Sequence, residues 1–123
     1  MLIIDGTNYD VPIKKLSRTA DFLDRYATRT ENGDLKRNLI GVYYNYQLEF
    51  GRIVNRDLYA ALWDKLTAPQ EFHTVTVYDE KNTFTFTAYF SSIQDEMIRR
   101  EDNTNIFDNL TVHFVAKAPA RKK

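Results

Sequence analysis

The hydrophobic residues of this chain fall mostly on every second position. The clearest run is Ile40, Val42, Tyr44, Tyr46, Leu48 and Phe50, alternating with Gly41, Tyr43, Asn45, Gln47 and Glu49. Successive side chains of a strand point to opposite faces, so this pattern predicts one long half-buried strand, ended by Gly51. The same period recurs at His73, Val75 and Val77, at Phe84, Phe86, Ala88 and Phe90, and at Leu110, Val112, Phe114, Ala116 and Ala118. Asp79-Glu-Lys-Asn82 reads as the turn between the first two of these, Asp102 to Asn109 as a polar loop before the third, and Pro119 as its end. Near the start, Asp5-Gly6 separates Leu2-Ile3-Ile4 from Asn8–Ile13, a tight hairpin signal because Gly accepts positive φ. Pro12 cannot donate to a ladder, so that second run is expected to be an edge strand or the end of one.

One segment carries the helical period. Leu58, Tyr59, Leu62, Trp63 and Leu66 form a stripe at spacings of three and four, which predicts a helix over 55–66. Asn55 can cap it, Asp57 sits in its electropositive first turn, and Ala68-Pro69 ends it. Two stretches fit both periods. In Lys14–Arg29, Leu16, Ala20, Leu23 and Ala27 recur as in a helix, while Phe22, Asp24, Tyr26, Thr28 and Thr30 share one face of a strand. Asn32-Gly33 follows, and so strong a hairpin cue favours a strand from Phe22. Ser91–Arg100 is either a short helix opened by Ser92 and Asp95 or a continuing strand through Ile93 and Met97. The expected fold is therefore α+β and mainly β: an antiparallel β-sandwich or open barrel of about six strands, with one packed helix (55–66) and a long early hairpin. It forms a single β-rich domain over 1–118, followed by a basic flexible tail at 119–123.

Composition narrows the possible functions. The chain's 123 residues suit one domain. Lys plus Arg is 17 and Asp plus Glu is 17, so no bulk charge draws it to nucleic acid or anionic lipid. Cysteine is absent, which removes disulfides, thiolate nucleophiles and cysteine metal sites. Met1-Leu-Ile-Ile-Asp5 turns polar at once, so no secretory signal is expected, and no apolar run approaches a membrane span.

Catalytic patterns are missing. The four glycines sit singly, without a phosphate-cradling loop, and no nucleophile motif is present. His73 and His113 would have to meet beside a carboxylate to hold a metal. Asp95, Glu96, Glu101 and Asp102, interleaved with Arg99 and Arg100, read as a solvated, self-compensating cluster. The basic residues Lys117, Arg121, Lys122 and Lys123, with Tyr43, Tyr89 and Phe107 as stacking platforms, define the alternative, a small nucleic-acid-binding or adaptor domain of barrel-like fold. Zero net charge weighs against it. The expectation is a non-enzymatic chain with no catalytic residue, cofactor or metal.

The informative feature is strand surface in excess of a small core. The 40–50 strand alone spans about 35 Å at ~3.3 Å per residue. The hairpin tip before it carries Arg29, Glu31, Asn32, Gly33, Asp34, Lys36 and Arg37. An arm that orders chain without burying it is unfavourable in a monomer and makes sense on a neighbouring subunit. These seven residues are the candidate assembly hairpin.

Four segments carry a resemblance to a known group: Val11-Pro-Ile-Lys-Lys-Leu-Ser-Arg18, Thr28-Arg-Thr-Glu-Asn-Gly-Asp-Leu-Lys-Arg37, Ile40-Gly-Val-Tyr-Tyr-Asn-Tyr46, and Leu110-Thr-Val-His-Phe-Val-Ala116 followed by Pro119. Ile106-Phe-Asp-Asn109 adds a looser match. In order, they resemble small tail and baseplate structural proteins of phages and prophages of Gram-positive bacteria, in particular the tail-tube class. The resemblance implies antiparallel sheets, a flanking helix and a long early hairpin that contacts the next ring. It also implies partners of two kinds, copies of the chain itself in an oligomer or ring and other tail proteins, with no membrane. The expected location is the virion tail, after synthesis in the host cytoplasm.

Overall fold

The computed structural model describes residues 2–123. Eight strands and one helix follow in the order β1 (Leu2–Ile4), β2 (Thr7–Tyr9), β3 (Ile13–Arg29), β4 (Leu35–Phe50), α1 (Arg56–Leu66), β5 (His73–Tyr78), β6 (Thr83–Glu101), β7 (Thr104–Ala116) and β8 (Arg121–Lys122). All pairings are antiparallel, in one open sheet ordered β2-β1-β5-β6-β7-β4-β3, with β8 on β4. The mainly-β class with a single helix is as expected, in an open, unclosed sheet.

Turn chemistry sets the hairpins. Asp5 and Gly6 both take positive φ, 49° and 86°, the two-residue turn whose twist matches its flanking strands. Asp102 and Asn103 do the same at 48° and 64°, two residue types that tolerate the left-handed region. That turn corrects the polar loop expected over 102–109: the chain reverses at once, and Thr104–Asn109 belong to β7. Both stretches that fitted two periods are strand throughout. Ladder partners decide this, since β3 pairs with β4 from Ile13 to Arg29 and β6 pairs with β7 as far as Glu101.

The core lies where the strands overlap in the middle. Leu2, Ile4, Leu48, Val75, Val77, Leu110, Val112 and Phe114 are fully buried on the inward face. Tyr46, Leu48 and Phe50 face inward and Gln47 outward, as the alternation requires; upstream it fades, with residues 42–45 all half-buried and Gly41 buried under the chain end. Asn55 caps α1 by accepting from the Asp57 and Leu58 amides at 3.1 and 3.2 Å. Its buried face is Tyr59, Leu62 and Leu66, with Leu58 and Trp63 half-buried at its margins.

Residues 119–123, expected to be a flexible tail, are held on β4. Ala120 donates to the Val42 carbonyl at 2.9 Å, and Arg121 and Lys122 pair with Val42 and Gly41. Gly41 permits this, because a Cβ there would lie 2.7 Å from both the Arg121 carbonyl oxygen and the Pro119 Cβ. The free edge of β4 supplied hydrogen-bonding groups that the tail's basic composition did not advertise.

Candidate assembly interface

Register shows how far the sheet outruns its core. β4 meets β7 only from Tyr46↔Phe114 to Glu49↔Thr111. Upstream of Tyr46, β4 continues back to Leu35 with β3 beside it, about 36 Å at ~3.3 Å per residue. Upstream of Thr111, β7 continues back to Thr104 with β6 beside it, about 23 Å on the same measure. Because β4 and β7 are antiparallel, these two arms leave opposite ends of the molecule. None of the 17 residues of β3 is buried, and of the 19 residues of β6 only Ala88 is. Strands are more often 3–10 residues long.

The first arm closes over Glu31-Asn32-Gly33. Thr30 and Asp34 are joined by an N–H···O bond of 2.8 Å, and Gly33 donates to the Thr30 carbonyl at 2.9 Å with its φ at 85°. This is a three-residue loop with Gly in the left-handed place, not the two-residue Asn-Gly turn. Arg29 ties the loop by donating to the Gly33 carbonyl at 2.9 Å. Arg37 makes a forked pair with Asp24 at 2.8 and 3.1 Å and lies over the Phe22 ring at 5.7 Å. Lys36 sits opposite Thr28 in the ladder. All seven candidate residues are thus on one exposed arm, with Arg37 paired inside it.

Two features escaped the sequence reading. The arm's apolar side chains Phe22, Leu23, Tyr26 and Leu35 are 47–60% exposed. The second arm, β6–β7, exposes Met97, Ile98 and Phe107. Asp102-Asn103 between two alternating segments was the signal for it. The arms are also bulged. Asp24 pairs with Leu39 and Tyr26 with Asn38, so Arg25 is an extra residue with no partner in the ladder.

The histidines and the carboxylate beside His73 have structural places. His73 is buried, stacked on Phe90 with ring centroids 4.3 Å apart, and its Nδ1 lies 2.7 Å from Asp5 Oδ2. Lys65 Nζ reaches the same oxygen at 2.9 Å, and the Thr74 amide donates to the other at 2.8 Å. Burial works to raise the Asp5 pKa, but these three donors outweigh it and bring it from 3.8 to about 2. The cluster joins the β1–β2 turn, α1 and β5. His113 lies in β7, opposite Gln47 and Ser91. Among the described residues no group of three or more His, Asp or Glu is placed to hold a metal.

The sequence's acidic cluster is spread along the second arm. Asp95 accepts from the Tyr59 hydroxyl at 2.7 Å, Glu96 from Asn109, and Glu101 lies 3.6 Å from Arg99. Burial and the Asp95 carboxylate together push the Tyr59 pKa up. Of the proposed stacking residues, Tyr89 and Phe107 are exposed and Tyr43 half-buried, on strands without a continuous basic stripe. No helix among the described residues is long and apolar enough to cross a membrane. The chain matches no family model, no curated protein and no solved structure.

Proposed function

We propose that this chain is a non-enzymatic structural protein of a phage or prophage tail or baseplate, acting by self-assembly or by docking to other tail proteins. The observation that carries this reading is the pair of opposed arms. Together they order dozens of residues while burying almost none, and they display apolar side chains to solvent. The outer edge of β3 adds a long row of free backbone groups, which a neighbouring strand can pair. The motif resemblance supplies the tail context and the location, a virion tail loaded from the host cytoplasm. In that setting the open sheet curls toward the open-barrel arrangement. Tyr46 of β4 already reaches Phe86 of β6, with ring centroids 5.3 Å apart.

Assembly by the first arm is tested by trimming Glu31–Asp34 to a minimal turn and running both proteins by sedimentation velocity at matched concentration. The trimmed protein is expected to keep its fold, by circular dichroism, and to shift toward smaller species. Identical distributions for the two would remove the arm as an assembly element. A shift of either protein with single-stranded oligonucleotide would favour the nucleic-acid-binding alternative instead.

A further inference from the structure

We infer that the Arg25–Tyr26 corner of the first arm docks into the cleft between α1 and the second arm of another copy of the chain, a contact that rests on the assembly proposed above. The cleft has a volume of about 410 Å³. One wall is α1, with Arg56, Tyr59, Trp63 and Asp64; the other is the second arm, with Asp95 and Phe107. Tyr59–Asp95 and a 2.7 Å bond from Arg56 to the Phe107 carbonyl fix the two walls against each other, so the cleft is preformed.

Its chemistry specifies its occupant. Trp63 and Phe107 offer apolar and aromatic surface, and Asp64 is an exposed carboxylate with no ion pair among the described residues. A matching ligand presents a cation next to an aromatic ring. The first arm presents that combination. Tyr26 is 55% exposed, and Arg25, set outside the ladder by the bulge, likewise has no ion pair among the described residues. Tyr and Arg are also the residue types that anchor interfaces, and a guanidinium over an indole gains a cation–π contribution. Asp24, the other charge at this corner, is already held by Arg37.

Geometry makes the contact intermolecular. The first arm points away from the end of the sheet that carries the second arm, so a chain cannot fill its own cleft. Arm and cleft are different surfaces at opposite ends of the sheet, so the contact either closes reciprocally between two copies or propagates head to tail into a ring or filament.

A charge exchange tests this. Arg25 and Asp64 are both exposed, so Arg25→Asp and Asp64→Arg are expected to fold normally, checked by thermal unfolding. Each alone sets like charges against each other and is expected to weaken self-association about tenfold or more in sedimentation. The double variant restores the opposite pair and is expected to recover most of the loss. Mixing the two single variants alternates a wild-type contact with the exchanged charge pair, so the mixture is expected to co-assemble although neither variant does so alone. A double variant no better than the singles, or singles that associate like wild type while arm trimming still abolishes assembly, overturns this docking and leaves the proposed function standing. A wild-type chain that stays monomeric at all concentrations overturns this docking together with the self-assembly on which it rests.

Discussion

Replacing Phe22 by Ala separates assembly from folding. The ring is 60% exposed on the first arm, and the Arg37 guanidinium lies over it at 5.7 Å. Full burial of a Phe side chain contributes about 1.5–3 kcal/mol. The exposed fraction therefore leaves about 1–2 kcal/mol to be gained per contact when a neighbour covers the arm. Losing that raises the dissociation constant about 5–30-fold. The cost within the monomer is smaller. The stack on Arg37 is worth about 0.5–1 kcal/mol at an exposed site, and the arm lies outside the core. A concentration series in the ultracentrifuge reads the first effect, and the urea midpoint of the dissociated chain reads the second. A variant that loses 2 kcal/mol or more in urea yet associates like wild type would refute the reasoning, because Phe22 would then serve the fold and not the neighbour.

Leu62→Ala removes a fully buried side chain from α1 and is expected to cost about 2–5 kcal/mol in urea, whereas half-buried Leu58→Ala should cost clearly less; equal losses would mean the helix is rotated. Asp5 has its pKa lowered in the fold, so its stabilisation is present above pH 4 and is lost as pH falls toward about 2. Over that window the wild-type urea midpoint should drop further than that of Asp5→Asn, and parallel curves would show that the cluster with His73 and Lys65 contributes nothing. Gly41→Val puts a Cβ 2.7 Å from the Arg121 carbonyl and should release β8, seen as loss of amide protection at Ala120 without global unfolding. Asn55→Ala removes the cap of α1 and is expected to lower stability by about 1 kcal/mol, as read in urea.

What the sequence determined by itself is local. Period-two alternation placed the inward face of β4 at Tyr46, Leu48 and Phe50, the i+4 stripe placed α1, Asn55 marked its start, and Asp5-Gly6 and Asn32-Gly33 marked hairpins. Each of these rests on interactions between residues near in sequence, or on a φ that few residues accept. The candidate arm was legible for the same reason, as a turn dipeptide between long alternating runs. Tertiary structure alone decided the rest. Lys14–Arg29 and Ser91–Arg100 fit two periods, and only ladders to β4 and β7 made them strands. The Asp5–His73–Lys65 cluster joins residues 68 apart in sequence, and β8 exists because the edge of β4 at Gly41 had room for it. The opposition of the two arms, and the cleft between α1 and the second arm, follow from the short register shared by β4 and β7. Spacing along a chain carries no information on where two distant strands begin to pair; packing of the inward side chains selects that register, because a one-residue slip would turn every core side chain outward.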